Sequence, residues 1–267
     1  MFFNSMFRAG ASYNAINVAR SALASVILLD NDKYSISNHP WICRYVKGVF
    51  NLRPPRPRYS FIWDVSKVLD FLRSTSPAHK LSLCALTQKV CMLLALLSAQ
   101  RVQTIYYLTL DNTRISKDQV DIAVVDLLKH SRPGKVGVKL SLKAYPDDRR
   151  LCIVHYLREY IKRTQTVRGT EKGLFVTYKK PIRHASKQTI ARWIKCVLKS
   201  SGIDTKVFSA HSTRSASTST AKNNNFPLAE IMRQAGWSNE TTFKNFYFRQ
   251  TTAESSFGHA VVGTAHS

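Results

Sequence analysis

Apolar residues recur every three or four positions along most of the chain, the spacing of one helical face. "SYNAINVARSALASVIL" (12–28) predicts one helix and "PWICRYVKGVF" (40–50) a second, basic one. Helical spacing resumes in "WDVSKVLDFLRS" (63–74) and in the long apolar "LSLCALTQKVCMLLALLSAQRVQTIYYL" (81–108). Between 112 and 143 the period changes. "QVDIAVVDLL" and "KVGVKLSL" are β-branched with partial alternation, and the Pro-Gly of the intervening "KHSRPGK" marks a turn. A helix over 151–164, a strand-like "GLFVTY" and the helix "SKQTIARWIKCVLKSSG" follow, then three short helices. In "PLAEIMRQAGW" Pro227 takes the first helical position and Gly236 falls just past the end. Ser238 is expected to cap a last helix carrying Phe243, Phe246 and Tyr247. The fold class is mainly α with a small antiparallel β-sheet.

The pattern is interrupted at "NLRPPRPRYS" (51–60), with three prolines and three arginines. Proline removes donors and forces its neighbours extended, so a boundary is expected here: a helical front domain at 1–53, a linker at 54–60 and a larger domain at 61–267. Charge sharpens this picture. The net charge is +24, and it is not a basic tail: residues 1–60 hold eight Lys/Arg against two Asp, the remainder thirty-two against fourteen acids. Such an excess calls for a polyanionic partner, nucleic acid first. Five scattered cysteines without a C-x-x-C pair argue for reduced thiols, an intracellular setting and no zinc site. The longest apolar run is about half of a membrane span, so no membrane partner is expected.

"SAHSTRSASTSTAKNNN" (209–225) is crowded with Ser and Thr, which favour caps and turns over helix interiors. Yet His211 and Arg214 stand three apart, a spacing that places them on one helical face. Upstream, "LSAQRVQTIYYLTLDN" ends an apolar run on Arg101; downstream come Trp237, after a glycine, and Tyr247. Alone, Arg101 reads as a snorkelling helix-end arginine and Tyr247 as a core aromatic. In order, Arg101, a hairpin lysine, His211-x-x-Arg214, Trp237 and Tyr247 resemble the catalytic pattern of the tyrosine recombinase (phage integrase) family. "HSTRSASTST" with "AGWSNETTFKNFYFR" looks most like the recombinases of DIRS-type retrotransposons and related eukaryotic elements.

The resemblance implies a partial helical core-binding domain followed by a mixed α+β catalytic domain. It also implies a DNA strand-cleaving and rejoining enzyme that works without metal or cofactor through a 3′-phosphotyrosyl bond. Arg101 and Arg214 would hold the non-bridging oxygens, each with a planar fork of donors. His211 would hold the phosphate or move a proton, and Tyr247 would be the nucleophile. Lys129, ahead of the turn, is preferred over Lys135 as general acid. Trp237 stands where the family more often has histidine; its indole N–H can donate but cannot move a proton. Arg44, Lys47, Arg53, Arg56, Arg58 and Lys135 are expected to meet the backbone of double-stranded DNA. A homotetramer on DNA is implied, in the nucleus if the source is eukaryotic. The competing reading is a non-catalytic DNA-binding descendant that keeps charge and fold only.

Overall fold

The computed structural model describes residues 2–29, 34–55, 59–126 and 137–249. The chain divides into two compact units between residues 58 and 59. Among the described residues no helix is long and apolar enough to cross a membrane.

The front unit holds helices α1 (Phe2–Arg8), α2 (Tyr13–Ala24) and α3 (Pro40–Leu52), with a strand pair β1 (Leu28–Leu29) and β2 (Tyr34–Ser35). The Ser12 side chain accepts from Ala15 N–H and starts α2. The helix ends at Ala24, four residues before the apolar run does, because Ser25 takes the cap and β-branched Val26 and Ile27 lead into β1. The core is small: Ile16, Val46 and Val49 are buried, ringed by half-buried Phe3, Met6, Phe7, Tyr13, Ile42 and Tyr45.

The second unit is built around α5 (Leu83–Ser98), capped by Ser82 and buried on nearly every side. A helix apolar all round belongs in a core. It packs against α7 (Ile153–Thr164), α8 (Lys187–Ser200) and α9 (Ser212–Asn223). Helix α4 (Val65–Ser74) starts from the Asp64 cap and buries Val65, Val68 and Leu72. One antiparallel sheet, ordered β3-β4-β5, joins Thr113–Ile115, Gln119–Val124 and Val138–Lys143. In its register Val120 faces Leu142 and Ile122 faces Leu140, so these four side chains form the apolar side of the sheet. Helices α10 (Leu228–Ala235) and α11 (Glu240–Phe246) close the described chain.

Three expectations change. The helix expected over 81–108 is two: α5 stops at Ser98, Ala99 turns left-handed at φ 51°, and α6 (Val102–Tyr106) begins after Arg101. "GLFVTY" forms only isolated bridges, Gly173 to Thr109 and Val176 to His184, because it lies beside single residues and not along an open sheet edge. The cap of α11 is Asn239, whose side chain accepts from Thr241 N–H at 2.8 Å; Ser238 lies one residue too early. The hairpin turn between β4 and β5 and the linker arginines fall outside the described residues.

Candidate active site

The serine-threonine stretch is helix α9, and the structure explains its composition. Its hydroxyls point at backbone that ends or begins neighbouring elements. Ser212 Oγ accepts from Trp63 Nε1 at 2.9 Å and donates to Ser209 O at 2.7 Å. Ser217 donates to Leu96 O near the end of α5. Ser215 and Ser219 both donate to Tyr247 O, the latter at 3.1 Å, and Ser219 accepts from Arg249 N–H at 3.0 Å. A leucine at these places would leave those buried carbonyls without partners, which costs about 1–3 kcal/mol each. Packing thus overrides the low helix propensity of the stretch.

Arg214 lies in the middle of this helix and is 1% exposed. Its Nη1 donates to Ala99 O at 2.9 Å and its Nη2 to Ala235 O at 2.6 Å, which ties α9 to the ends of α5 and α10. The same bond accounts for the break after Ser98: the left-handed Ala99 turns its carbonyl to the guanidinium and not along a continued helix. Gly236, at φ 67°, ends α10 in the left-handed region and brings Trp237 directly behind it.

The Arg214 guanidinium carbon sits 4.4 Å from the Trp237 ring centroid and 5.4 Å from that of Tyr247. Those two rings are 4.4 Å apart, and the His211 ring lies 6.0 Å from Tyr247. Burial pulls the Arg214 pKa down to about 9, the charge of Arg101 adds to that, and Tyr247 opposes it by charge and hydrogen bonding. The guanidinium therefore remains charged at neutral pH. Two buried donors at this place, Arg214 Nε and Trp237 Nε1, have no hydrogen-bond partner among the described residues. A buried donor left unpaired is costly, and a bound acceptor such as an anion or a water would relieve it. Arg101, just before α6, and His211 line one cleft.

Of the expected residues, His211, Arg214, Trp237 and Tyr247 are brought together, and Arg101 lines one cleft with His211 and is near enough for its charge to act on Arg214. Lys129, Lys135, Arg56 and Arg58 lie outside the described residues. Arg44 and Lys47 are exposed on α3, with Arg44 5.8 Å from the Trp41 ring. Arg53 is turned onto its own unit: its Nη1 donates to Phe7 O at 2.8 Å and Ala11 O at 3.1 Å, and its guanidinium lies 3.9 Å from the Phe7 ring. Ser215 and Ser219 were missed by sequence reasoning, although positions 212, 215 and 219 repeat at helical spacing on one face.

The chain belongs to the phage integrase family, whose profile matches residues 64–254; the tyrosine recombinases are an enzyme class that uses a tyrosine nucleophile and no metal. Among solved structures, the XerH site-specific recombinase bound to palindromic difH substrate, a post-cleavage complex, superposes at a TM-score of 0.62 with 14% identity. That likeness covers 89% of this chain and 64% of the recombinase, so the chain spans less than two thirds of that protein. The Tn1549 transposon integrase in complex with circular intermediate DNA gives a TM-score of 0.55 at 13% identity, covering 99% of this chain and 83% of the integrase. A lambda integrase dimer bound to a COC' core site gives 0.51 at 15%, covering 95% and 63%. At these identities the likeness is one of fold. No curated protein matches the chain.

Proposed function

We propose that this chain cuts and rejoins double-stranded DNA in site-specific recombination or mobile-element integration, with Tyr247 as nucleophile. The Tyr247 oxygen attacks phosphorus as its hydroxyl proton passes to His211 or to water, a 3′-phosphotyrosyl bond forms, and the 5′-oxygen leaves with a proton. That proton comes from Lys129 in this reading. The reverse attack by a 5′-hydroxyl rejoins a strand, and because one phosphoester replaces another, no external energy source enters the balance. The observation that carries the proposal is the pair of buried donors without partners, Arg214 Nε and Trp237 Nε1, beside the Tyr247 ring. They suit the non-bridging oxygens of a phosphate that becomes more negative and more crowded as the tyrosine attacks. Arg101 and His211, which line one cleft, complete the set of donors.

The helical front unit serves as a core-binding domain, joined through the linker at 54–60, with Arg44, Lys47, Arg56 and Arg58 on the DNA backbone. Lys135 is a further backbone contact. The assembly is a homotetramer on two duplexes. The wording of 211–220 and 235–249 supports an origin in a DIRS-type element, which would place the protein in a nucleus.

The test is denaturing electrophoresis of a labelled, nicked duplex library of randomised sequence, incubated with the chain without divalent metal. The parent should retard label in a protease-sensitive complex. Tyr247→Phe should fold and bind DNA as the parent does and retard none. Equal trapping by both would assign the attack to another residue. Trapping by neither would favour a non-catalytic DNA-binding protein.

A further inference from the structure

The cleft that holds Arg101 and His211 is larger than one phosphate requires, with a volume of about 490 Å³. Its other wall is α8, which contributes Arg192 and Lys195. Helix α8 is amphipathic in an unusual way. Ile190, Trp193, Ile194, Val197 and Leu198 are buried, while its charged residues are all cations, with no acid in the helix. Arg192 and Lys195 are exposed and three residues apart, hence neighbours on one face. No ion pair involves either of them among the described residues. Among the described residues no acidic side chain lines the cleft; its remaining polar wall is Gln103 and Ser209.

Two unneutralised cations cost nothing in isolation on a wet surface. Lining the same concave surface as Arg101, however, they raise the local positive potential where an anion is expected. We propose that Arg192 and Lys195 form a second phosphate subsite, which holds an adjacent phosphodiester of the strand that is cut. This rests on the DNA-cleaving reading above. Arg192 and Lys195 are positioning residues: they fix where the sugar-phosphate chain lies, and thereby where the reacting phosphorus stands relative to Tyr247. Arginine suits this role through its fork of donors and lysine as a mobile point charge.

The double variant Arg192→Gln/Lys195→Gln keeps side-chain length and removes both charges from exposed positions, so the fold should be unaffected. Two measurements test it. The first is binding to a duplex of random sequence between 50 and 200 mM salt. Each phosphate neutralised contributes about 0.9 to the slope of log affinity against log salt, so with one phosphodiester released the magnitude of the slope should fall by about 1. The second is covalent trapping on nicked duplexes in which one phosphate at a time, beside the reacting one, is a neutral methylphosphonate. In the parent, one such position should slow trapping by on the order of tenfold. In the double variant, already slower, that substitution should add no further loss. An unchanged salt slope, or independent losses from the variant and the methylphosphonate, would overturn the subsite. If the parent traps no DNA at all, the cleavage reading fails on its own, and the salt slope alone decides the subsite.

Discussion

Arg214, Lys89 and Arg168 are all buried, and among the described residues none is paired with a carboxylate; their terminal nitrogens donate to uncharged oxygens, while Arg214 Nε and Arg168 Nε have no partner there. With 40 basic residues and 16 acidic ones, the chain has few carboxylates to place inside. Lys89 sits in the apolar run of α5, where its Nζ donates to Leu72 O at 2.5 Å and Thr75 O at 2.7 Å and lies 3.8 Å from the Tyr156 ring. It thus ties the end of α4 to α5. Burial lowers its pKa to about 7, Asp148 works against this, and Arg150 adds to it. Because the folded value lies below the unfolded one, the unfolded chain binds more protons between pH 7 and about 10.5. Stability contributed at Lys89 therefore rises with pH across that window, and below pH 7 the burial cost is fully present. Lys89→Met should abolish this part of the pH dependence. The difference in unfolding free energy between parent and variant, followed from pH 6 to 9, should change by up to about 1 kcal/mol per pH unit above 7. A difference independent of pH would show that Lys89 keeps its proton throughout.

At the scale of elements, α9 and the segment after α11 behave as one device. Ser215→Ala with Ser219→Ala removes the hydrogen bonds that hold Tyr247 O, each with a net value of about 1 kcal/mol. Alanine returns about 0.5 kcal/mol of helix propensity at each place. Ser219→Ala also removes the bond from Arg249 N–H, so the double variant should lose about 2 kcal/mol of stability, a shift of several degrees in melting temperature. Covalent trapping should fall by tenfold or more, because the nucleophile loses its fixed backbone. Equal losses in trapping and in folded fraction would mean that the serines act on stability alone. The order Arg101, His211, Arg214, Trp237, Tyr247 was legible in the sequence because these polar and aromatic residues interrupt the apolar pattern in a family-like sequence. The break at Ala99 was not, since it answers to a guanidinium 115 residues away. Nor was Lys89, which apolar periodicity alone places in a core without naming the carbonyls it meets. Asn239 was missed as a cap because Ser238 and Asn239 are both competent and only the turn geometry chooses between them.

For the whole molecule, charge is the dominant quantity. Excess cations run through both units, so duplex affinity should fall steeply with salt. With 6 to 10 phosphates contacted, about 10³- to 10⁵-fold is lost between 50 and 200 mM. Affinity that holds across that range would rule out a phosphate-tracking surface.

Arg214 serves two masters, and this bears on how a copy of such a gene would age. Its guanidinium is a strut between the ends of α5 and α10 and, in the proposed reaction, a donor to the phosphate as well. A copy released from selection for chemistry but still selected to fold would keep the arginine, since losing it frees two buried carbonyls and empties a packed site. The Tyr247 hydroxyl has no such protection, for its removal costs only about 0.5–1.5 kcal/mol. Among descendants of this chain, an intact Arg214 would attest to a folded protein, and only the tyrosine beside it to a working one.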